Sequence, residues 1–157
     1  MRIYNLYVIE DDVARHYFGR ERLLYNLFLE YSKSSGELQE IIKRQIAYIT
    51  KPLPILQIQK MLDHQLRVKK DSQDKNRVYY IETNEGLSSA SLRIGDNGLT
   101  LEARGSLEAE TEFFECLRKS ESDFLALDLI NNKFGWLKPI KERKFRLKEG
   151  NYYSDIV

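Results

Sequence analysis

The spacing of apolar residues differs between the two halves of the chain. Residues 2–9 are rich in Tyr, Ile and Val on both sides of an extended segment, and this pattern predicts a buried strand. Apolar residues then recur every three or four positions, the period of amphipathic helices, in four segments up to Leu66. From Val78 onward, short apolar runs separated by turn residues predict strands. The chain is therefore expected to begin with a strand and a helical block and to continue with a strand-rich half.

Boundary signals divide the helical block into four helices. Gly19 is expected to end a short first helix, and a second helix follows at once. Ser34 and Glu37 have the spacing of a capping box and predict the start of the third helix. Prolines after Thr50 end that helix, and a fourth begins near Pro54. The repeating face of the third helix is expected to contain Leu38, Ile41, Ile42, Gln45, Ile46 and Ile49.

The second half contains one predicted helix among several predicted strands. Ser106 is expected to cap that helix, which runs from Leu107 to about Lys119, and a turn at Gly95–Gly98 predicts a hairpin. Residues 67–77 are expected to form a polar surface loop. The strands are expected at residues 78–83, 87–94, 99–103, 124–130 and 133–137, with 124–130 central.

The order of these elements predicts the fold class. Because the N-terminal strand needs partners, the two halves are expected to share one sheet. The sequence therefore predicts an α+β fold in a single domain. An N-terminal strand and helical block would be followed by a mostly antiparallel sheet with one inserted helix.

The composition is that of a soluble domain whose net charge is too small to create a strong electrostatic field. The chain has 157 residues, with 25 Lys and Arg against 24 Asp and Glu. Residues 1–76 carry a net +3 and residues 77–157 a net −2, so neither half has the cation excess that attracts nucleic acid or anionic membranes. The single cysteine, Cys116, excludes an internal disulfide, and no apolar run approaches the roughly 18 residues of a membrane span. We expect a cytoplasmic protein.

Few side chains have a pattern that favours catalysis or metal binding. The two histidines are interpreted as structural or surface residues. Glu108, Glu112 and Glu115 share one helix face, which is typical of a solvated surface, although paired acids also bind divalent cations. Asp128 interrupts an apolar strand, either as a catalytic carboxylate or as a partner for an arginine or a backbone N–H group. We favour the structural interpretation for these acids.

Two stretches have the chemistry to contact a macromolecule. Between Lys138 and Lys148, six Lys and Arg residues stand against Glu142 alone, which suits either a solvated tail or contact with phosphates. Large side chains around the first two helices exceed what one core stripe requires, and they either complete the core or form a docking face. Spacing alone does not decide between these. This surplus consists of Val13, Tyr17, Phe18, Tyr25 and Tyr31.

Four sequence blocks resemble, in order and spacing, those of the SirA family, the sporulation inhibitors of replication of endospore-forming bacteria. The blocks are HYFGRE at 16–21, QIAYITKPLPIL at 45–56, EAETEFFE at 108–115 and FGWLKPIKER at 134–143. Each block alone is modest evidence, but four in register are a specific signal. The resemblance implies a single SirA-like domain over residues 1–145, with residues 146–157 as a C-terminal tail.

The resemblance also implies a function. The protein would be a monomeric, cytoplasmic inhibitor, not an enzyme, that needs no cofactor and prevents new rounds of replication during sporulation. It would bind domain I of the replication initiator DnaA through its N-terminal helices. Carried over by motif, the contact positions are Val13, Tyr17 and Gln45, with Ala14, His16 and Arg20 as neighbouring candidates. The family pattern has an aromatic residue at position 13, so valine there offers a partner less contact area.

Two other functions remain open from the sequence. A nucleic-acid-binding accessory protein would use the basic stretch from Lys138 to Lys148. A metal-dependent nuclease would use Glu108, Glu112 and Asp128 as metal ligands. The first alternative requires binding that weakens steeply with salt, whereas an aromatic protein contact depends little on ionic strength.

Overall fold

The elements of the structure, a computed structural model, follow the predicted order. The structure describes residues 1–65, 69–70 and 78–138. The helices are α1 (Asp11–His16), α2 (Glu21–Lys33), α3 (Gly36–Ile49), α4 (Ile55–Gln65) and α5 (Glu108–Ser120). The strands are β1 (Arg2–Val8), β2 (Lys69–Lys70), β3 (Val78–Thr83), β4 (Ser88–Ile94), β5 (Leu99–Gly105), β6 (Phe124–Asp128) and β7 (Lys133–Trp136). The predicted α+β class is confirmed.

The strands form one antiparallel sheet in the order β2-β3-β4-β5-β1-β6-β7. The N-terminal strand lies inside the sheet, so that Leu6 is opposite Leu99 of β5 on one side and Ala126 of β6 on the other. The two halves therefore share a sheet, as predicted. The expected loop at residues 67–77 contains β2, which pairs with β3, and the rest of that segment lies outside the described residues.

Helices cover both faces of the sheet. On one face, Leu6 and Val8 join a core cluster that includes side chains of α4 and α5, such as Ile58 and Phe113. On the other face, Ile9 joins a second cluster built from α1 and α2, against which α3 packs. The two faces alternate along β6, whose five residues are all buried, because a strand covered on both sides needs apolar residues at every position. None of the described helices is both long enough and apolar enough to span a bilayer.

The capping box predicted for α3 does not form. The helix begins at Gly36, and the preceding Ser35 makes no side-chain cap hydrogen bond. The Ser34 hydroxyl instead donates to the carbonyl of Tyr31 at 3.1 Å, at the end of α2. Glu37 is exposed. The serine predicted to begin one helix therefore completes the end of the helix before it, because α3 begins one residue later than the box requires.

The cap of α5 comes from another element. Ser106 was the expected cap, but Leu107 occupies the N-cap position with helical φ and ψ of −79° and −1°, so Ser106 lies one residue too early. The N–H of Ala109 donates to the Ser88 hydroxyl oxygen at 3.0 Å, and that hydroxyl donates to the Ser106 carbonyl at 2.7 Å. A buried serine of β4 thus satisfies both the helix and the segment that enters it.

An ion pair joins the start of the chain to the same helix. The Arg2 guanidinium Nε donates to Glu110 Oε1 at 2.8 Å, and Glu110 is only 2% exposed. The Tyr4 ring packs nearby, edge-on against Phe114 at 5.2 Å. Burial, and then the neighbouring Glu110 carboxylate, raise the pKa of Tyr4 to about 12. Tyr4 is therefore un-ionised at neutral pH, as its partly buried position beside a carboxylate requires.

We predict that Ser88→Ala lowers the free energy of unfolding by about 1–2 kcal/mol, because it leaves the buried N–H of Ala109 without its acceptor and removes one of the two side-chain hydrogen bonds that the Ser106 carbonyl accepts. Urea denaturation followed by circular dichroism measures the change. Ser91→Ala, on the same strand, is the matched control and should change the stability by less than about 0.5 kcal/mol. Equal effects of the two substitutions would show that the Ser88 cap contributes nothing.

Candidate functional site

Backbone hydrogen bonds join the beginning of α1 to the end of α3. The N–H of Glu10 donates to the carbonyl of Ile49 at 2.8 Å, and the N–H of Lys51 donates to the carbonyl of Val8 at 2.8 Å. Ile9 and Thr50 form an isolated antiparallel bridge between these bonds. We call this pairing of residues 8–10 with residues 49–51 the corner bridge. It holds the two helices in a defined relation, although they are far apart in sequence.

A charged cluster lies beside the corner bridge. Lys51 Nζ is 2.7 Å from Asp11 Oδ1, and oxygens of Asp11, Glu121 and Asp123 lie within 4.8 Å of one another. A hydrogen bond with Asp123, and then the one with Lys51, hold the pKa of Asp11 below its usual value. Asp11 is the first residue of α1, where negative charge also favours the helix N-terminus. Lys51 supplies positive charge to these acids, so the cluster stabilises the start of α1.

The candidate residues of the first helix differ in exposure. Ala14 is fully buried in the core cluster formed by α1 and α2, so its methyl group has no surface to offer a partner. Val13 and Tyr17 are half-buried and pack against the same cluster with one side. His16 and Arg20 are exposed. Tyr17 and its exposed neighbours therefore form a local surface, and Ala14 supports it from below.

Tyr17 is held in place by its neighbours. The His16 ring contacts it edge-on at a centroid distance of 4.9 Å and an interplanar angle of 87°. The Arg20 guanidinium lies 5.6 Å from the centre of the Tyr17 ring and donates to the His16 carbonyl at 2.5 Å. Gly19 lies in the turn between α1 and α2 and has a φ of 81°, in the region that favours glycine. A ring fixed in this way loses little side-chain entropy when a partner covers it.

Gln45 lies on α3 in a row of exposed side chains at helical spacing. Leu38, Ile41 and Tyr48 flank it and are 51%, 46% and 83% exposed. Gln45 itself is also exposed. We call Leu38, Ile41, Gln45 and Tyr48 the outer stripe. Three large apolar or aromatic side chains exposed on one helix face are typical of a contact surface rather than of a solvated helix.

The predicted core face of α3 was too wide, because Leu38, Ile41 and Gln45 were assigned to it and lie on the exposed outer stripe. Only Ile42 of this helix is fully buried, and Ile46 and Ile49 pack partly against the core, whereas Leu38 and Ile41 point away from it. The sequence contains the signal for this division. Apolar side chains cover an arc of α3 wider than one core stripe, and Tyr48 continues the row of Leu38 and Ile41. The arc is too wide for one side of the helix to bury all of it.

The structure does not bring together the three acids that the nuclease hypothesis requires as metal ligands. Glu108 and Glu112 are exposed on α5, whereas Asp128 is buried at the end of β6. The Asp128 carboxylate accepts hydrogen bonds from the backbone N–H of Asn131 at 3.1 Å and from its side-chain amide at 2.8 Å. Asp128 thus orders the turn into β7, which agrees with the structural interpretation. Of the basic stretch, only Lys138 lies within the described residues.

Comparison with known proteins identifies the family of the chain. The family model described as sporulation inhibitor of replication protein SirA matches residues 2–141. The chain belongs to the SirA family. It is also similar to the sporulation inhibitor of replication protein SirA of Bacillus subtilis (strain 168), with 40% identity over 146 residues that cover 92% of this chain and 98% of that protein. The SirA match begins at β1 and extends past β7, so the resemblance seen in four blocks holds across the sheet and the helices.

We predict that Asp11→Asn destabilises the protein at neutral pH and that the difference from wild type disappears in acid. The pKa of Asp11 is lower in the folded state than the usual value of about 3.9, so its contribution to stability is present above that value and is lost as the pH falls through the folded pKa. Urea denaturation at several pH values measures this. Glu102→Gln, at an exposed position of β5, is the control and should change the stability little at any pH. A difference between Asp11→Asn and wild type that does not depend on pH would contradict the role of the charge.

Proposed function

We propose that this protein inhibits the initiation of DNA replication during sporulation by binding domain I of the initiator DnaA. Membership of the SirA family supports the inhibitory role, because the Bacillus subtilis relative is named as a sporulation inhibitor of replication. The observation that carries the proposal for this chain is the exposed apolar and aromatic surface on α1 and α3. It consists of the Tyr17 ring, which His16 and Arg20 hold in place, and of the outer stripe of α3. The corner bridge links the two helices.

The chemistry of this surface suits a protein partner. Tyrosine offers a large apolar area and a polar tip with few rotatable bonds, and it is enriched among the residues that dominate binding energy. Tyr48 exposes 83% of its surface, so its burial by a partner would remove much apolar area from water. Gln45 lies between Ile41 and Tyr48 on the outer stripe and has an amide that both donates and accepts. Such a patch with a polar group at its centre fits a small, specific interface.

The roles proposed for the six candidate residues follow from their positions. Tyr17 is the anchor, and Gln45 provides directional hydrogen bonds. His16 and Arg20 position the Tyr17 ring and lie at the rim of the contact. Val13 adds a smaller apolar contact beside Tyr17. The sixth residue, the buried Ala14, supports α1 from the core and makes no side-chain contact of its own.

Inhibition requires no chemical step in this proposal. A protein that covers a small docking surface on domain I of DnaA prevents other factors, or other DnaA molecules, from using that surface at the origin. The inhibitor would act as a cytoplasmic monomer, without a cofactor. The SirA-like domain would comprise residues 1–145, with residues 146–157 as a C-terminal tail.

We predict that Tyr17→Ala weakens binding to purified DnaA domain I of the same organism by about 2 kcal/mol, a roughly 30-fold higher Kd. Isothermal titration calorimetry measures the affinity, and circular dichroism checks that the variant is folded. Tyr80→Ala, at an exposed tyrosine of β3, is the matched control and should bind as wild type does.

Three results would overturn this assignment. The first is a folded Tyr17→Ala variant that binds as tightly as wild type. The second is no binding of the wild-type chain to domain I. The third is binding to duplex DNA that weakens steeply with salt and is lost when the basic residues between Lys138 and Lys148 are neutralised, since that pattern belongs to the nucleic-acid hypothesis.

We predict a smaller loss for Tyr48→Ala, about 1 kcal/mol or roughly fivefold in Kd, because Tyr48 lies at one end of the outer stripe and residues at the edge of an interface contribute less than those at its centre. The same calorimetric measurement applies. Leu107→Ala, at an exposed apolar residue before α5, is the control. If Tyr48→Ala matched that control, the contact would lie on α1 and exclude the outer stripe.

A further inference from the structure

A cavity of about 340 Å³ lies between the helical block and the tip of the β4–β5 hairpin. Side chains of β1, α2 and α3 line it, and Asp96 and Asn97 of the hairpin turn lie opposite them. Lys43 and Ala47 of α3 border the cavity at helical spacing, and so does Thr50, which follows the last residue of that helix. They lie on a different side of that helix from the outer stripe, so the cavity is separate from the proposed docking surface.

The walls of this cavity are packed in place. The Tyr7 ring stacks on Phe28 of the core at a centroid distance of 4.5 Å. The hairpin turn also approaches Tyr7 so closely that a Cβ on Gly98 would lie 2.9 Å from Tyr7 Cε1 and 2.9 Å from the Leu6 carbonyl oxygen. Gly95 and Gly98 close the turn with a hydrogen bond of 2.9 Å. The cavity is therefore preformed, as ligand sites usually are.

The polar groups around the cavity are mostly hydrogen-bond donors without a protein partner. Within the described residues, the hydroxyls of Tyr7 and Tyr31 and the ammonium group of Lys43 make no hydrogen bond or ion pair. Burial, and then the neighbouring Tyr31, raise the pKa of Tyr7, so its hydroxyl retains its proton at neutral pH. Lys51 also borders the cavity, but Asp11 binds its ammonium group at 2.7 Å. One lysine and two hydroxyls are thus available to a ligand.

We propose that this cavity binds a small organic anion. Its carboxylate or phosphate oxygens would accept hydrogen bonds from Lys43 and from the hydroxyls of Tyr7 and Tyr31. Its apolar body would pack against Ile46 and Ala47. The site is distinct from the surface proposed for DnaA.

An anion fits better than a cation because of the balance of groups in the lining. Lys43 and the two hydroxyls are donors, and the side-chain amide of Asn97 adds further donors. Among the lining residues that the structure describes, Asp96 is the one acid, and it lies on the exposed turn. Hydrogen bonds from an ammonium group to a carboxylate or phosphate are stronger than those between neutral groups. The volume is at the small end of ligand sites and suits a molecule the size of a single ring.

Nuclear magnetic resonance titration of the full chain with phenyl phosphate and with benzoate tests the proposal. We expect saturable shifts of the backbone resonances of Tyr7, Lys43, Ala47 and Asn97 with at least one of the two probes. Inorganic phosphate, which has no apolar body, should bind at least about tenfold more weakly than phenyl phosphate. The absence of saturable shifts at these residues with both organic probes would overturn the proposal, and so would an affinity for inorganic phosphate equal to that of the organic probe that binds more tightly.

Substitutions identify the groups that hold the anion. Lys43→Gln should raise the Kd about tenfold, because it removes the charge-assisted hydrogen bond, and Tyr7→Phe should raise it severalfold. Lys60→Gln, at an exposed lysine of α4, is the control and should leave the Kd unchanged. Asp96→Asn should lower the Kd, because it removes the one negative charge of the lining. A higher Kd for Asp96→Asn would mean that the site recognises a positive group, and would contradict the proposal.

Discussion

The backbone hydrogen bonds of β1 connect the parts of this protein that sequence separates. As an inner strand, β1 needs a partner on each side, and it finds them in β5 and β6, which follow the whole helical block. Unpaired backbone groups of a strand inside a sheet are costly, so the helical block cannot reach its folded arrangement without the strands of the second half. Since β1 ends at the corner bridge, the sheet also determines where α1 begins and how it lies against α3.

The apolar residues of the helical block fall into two groups, one buried in the core and one exposed on the surface. Ala14, Leu24 and Phe28 fill the core beside the sheet. The outer stripe of α3 remains in water, although its Leu38 and Ile41 are residue types typical of a core. Exposed apolar side chains contribute little to stability and favour association, so selection for folding alone does not account for them. A partner that covers both these side chains and the Tyr17 ring would account for their exposure.

Local signals in the sequence were sufficient for most elements but not for their ends. The helices and strands were predicted because apolar periodicity reflects burial directly, and the α+β order followed from it. The cap of α5 could not be predicted, because Ser88 is distant in sequence and approaches Ala109 only when the sheet has formed. The ion pair between Arg2 and Glu110 could not be predicted either. In the sequence Glu110 is one of several glutamates on α5, and only the fold brings Arg2 close to it. The division of α3 into a buried face and the outer stripe also depends on where neighbouring helices lie, which periodicity does not specify.

The corner bridge has a consequence for the time at which the protein becomes active. Helix α1 has only six residues, too few for a stable helix in water, so it relies on the bridge and on the core beneath it. Both depend on β1, whose partners β5 and β6 leave the ribosome long after α1 does. During synthesis, the residues proposed to bind DnaA are therefore present without being arranged for binding. An incomplete chain would not act as an inhibitor, and a cell that begins to make this protein would restrain replication only after most of the chain has been completed.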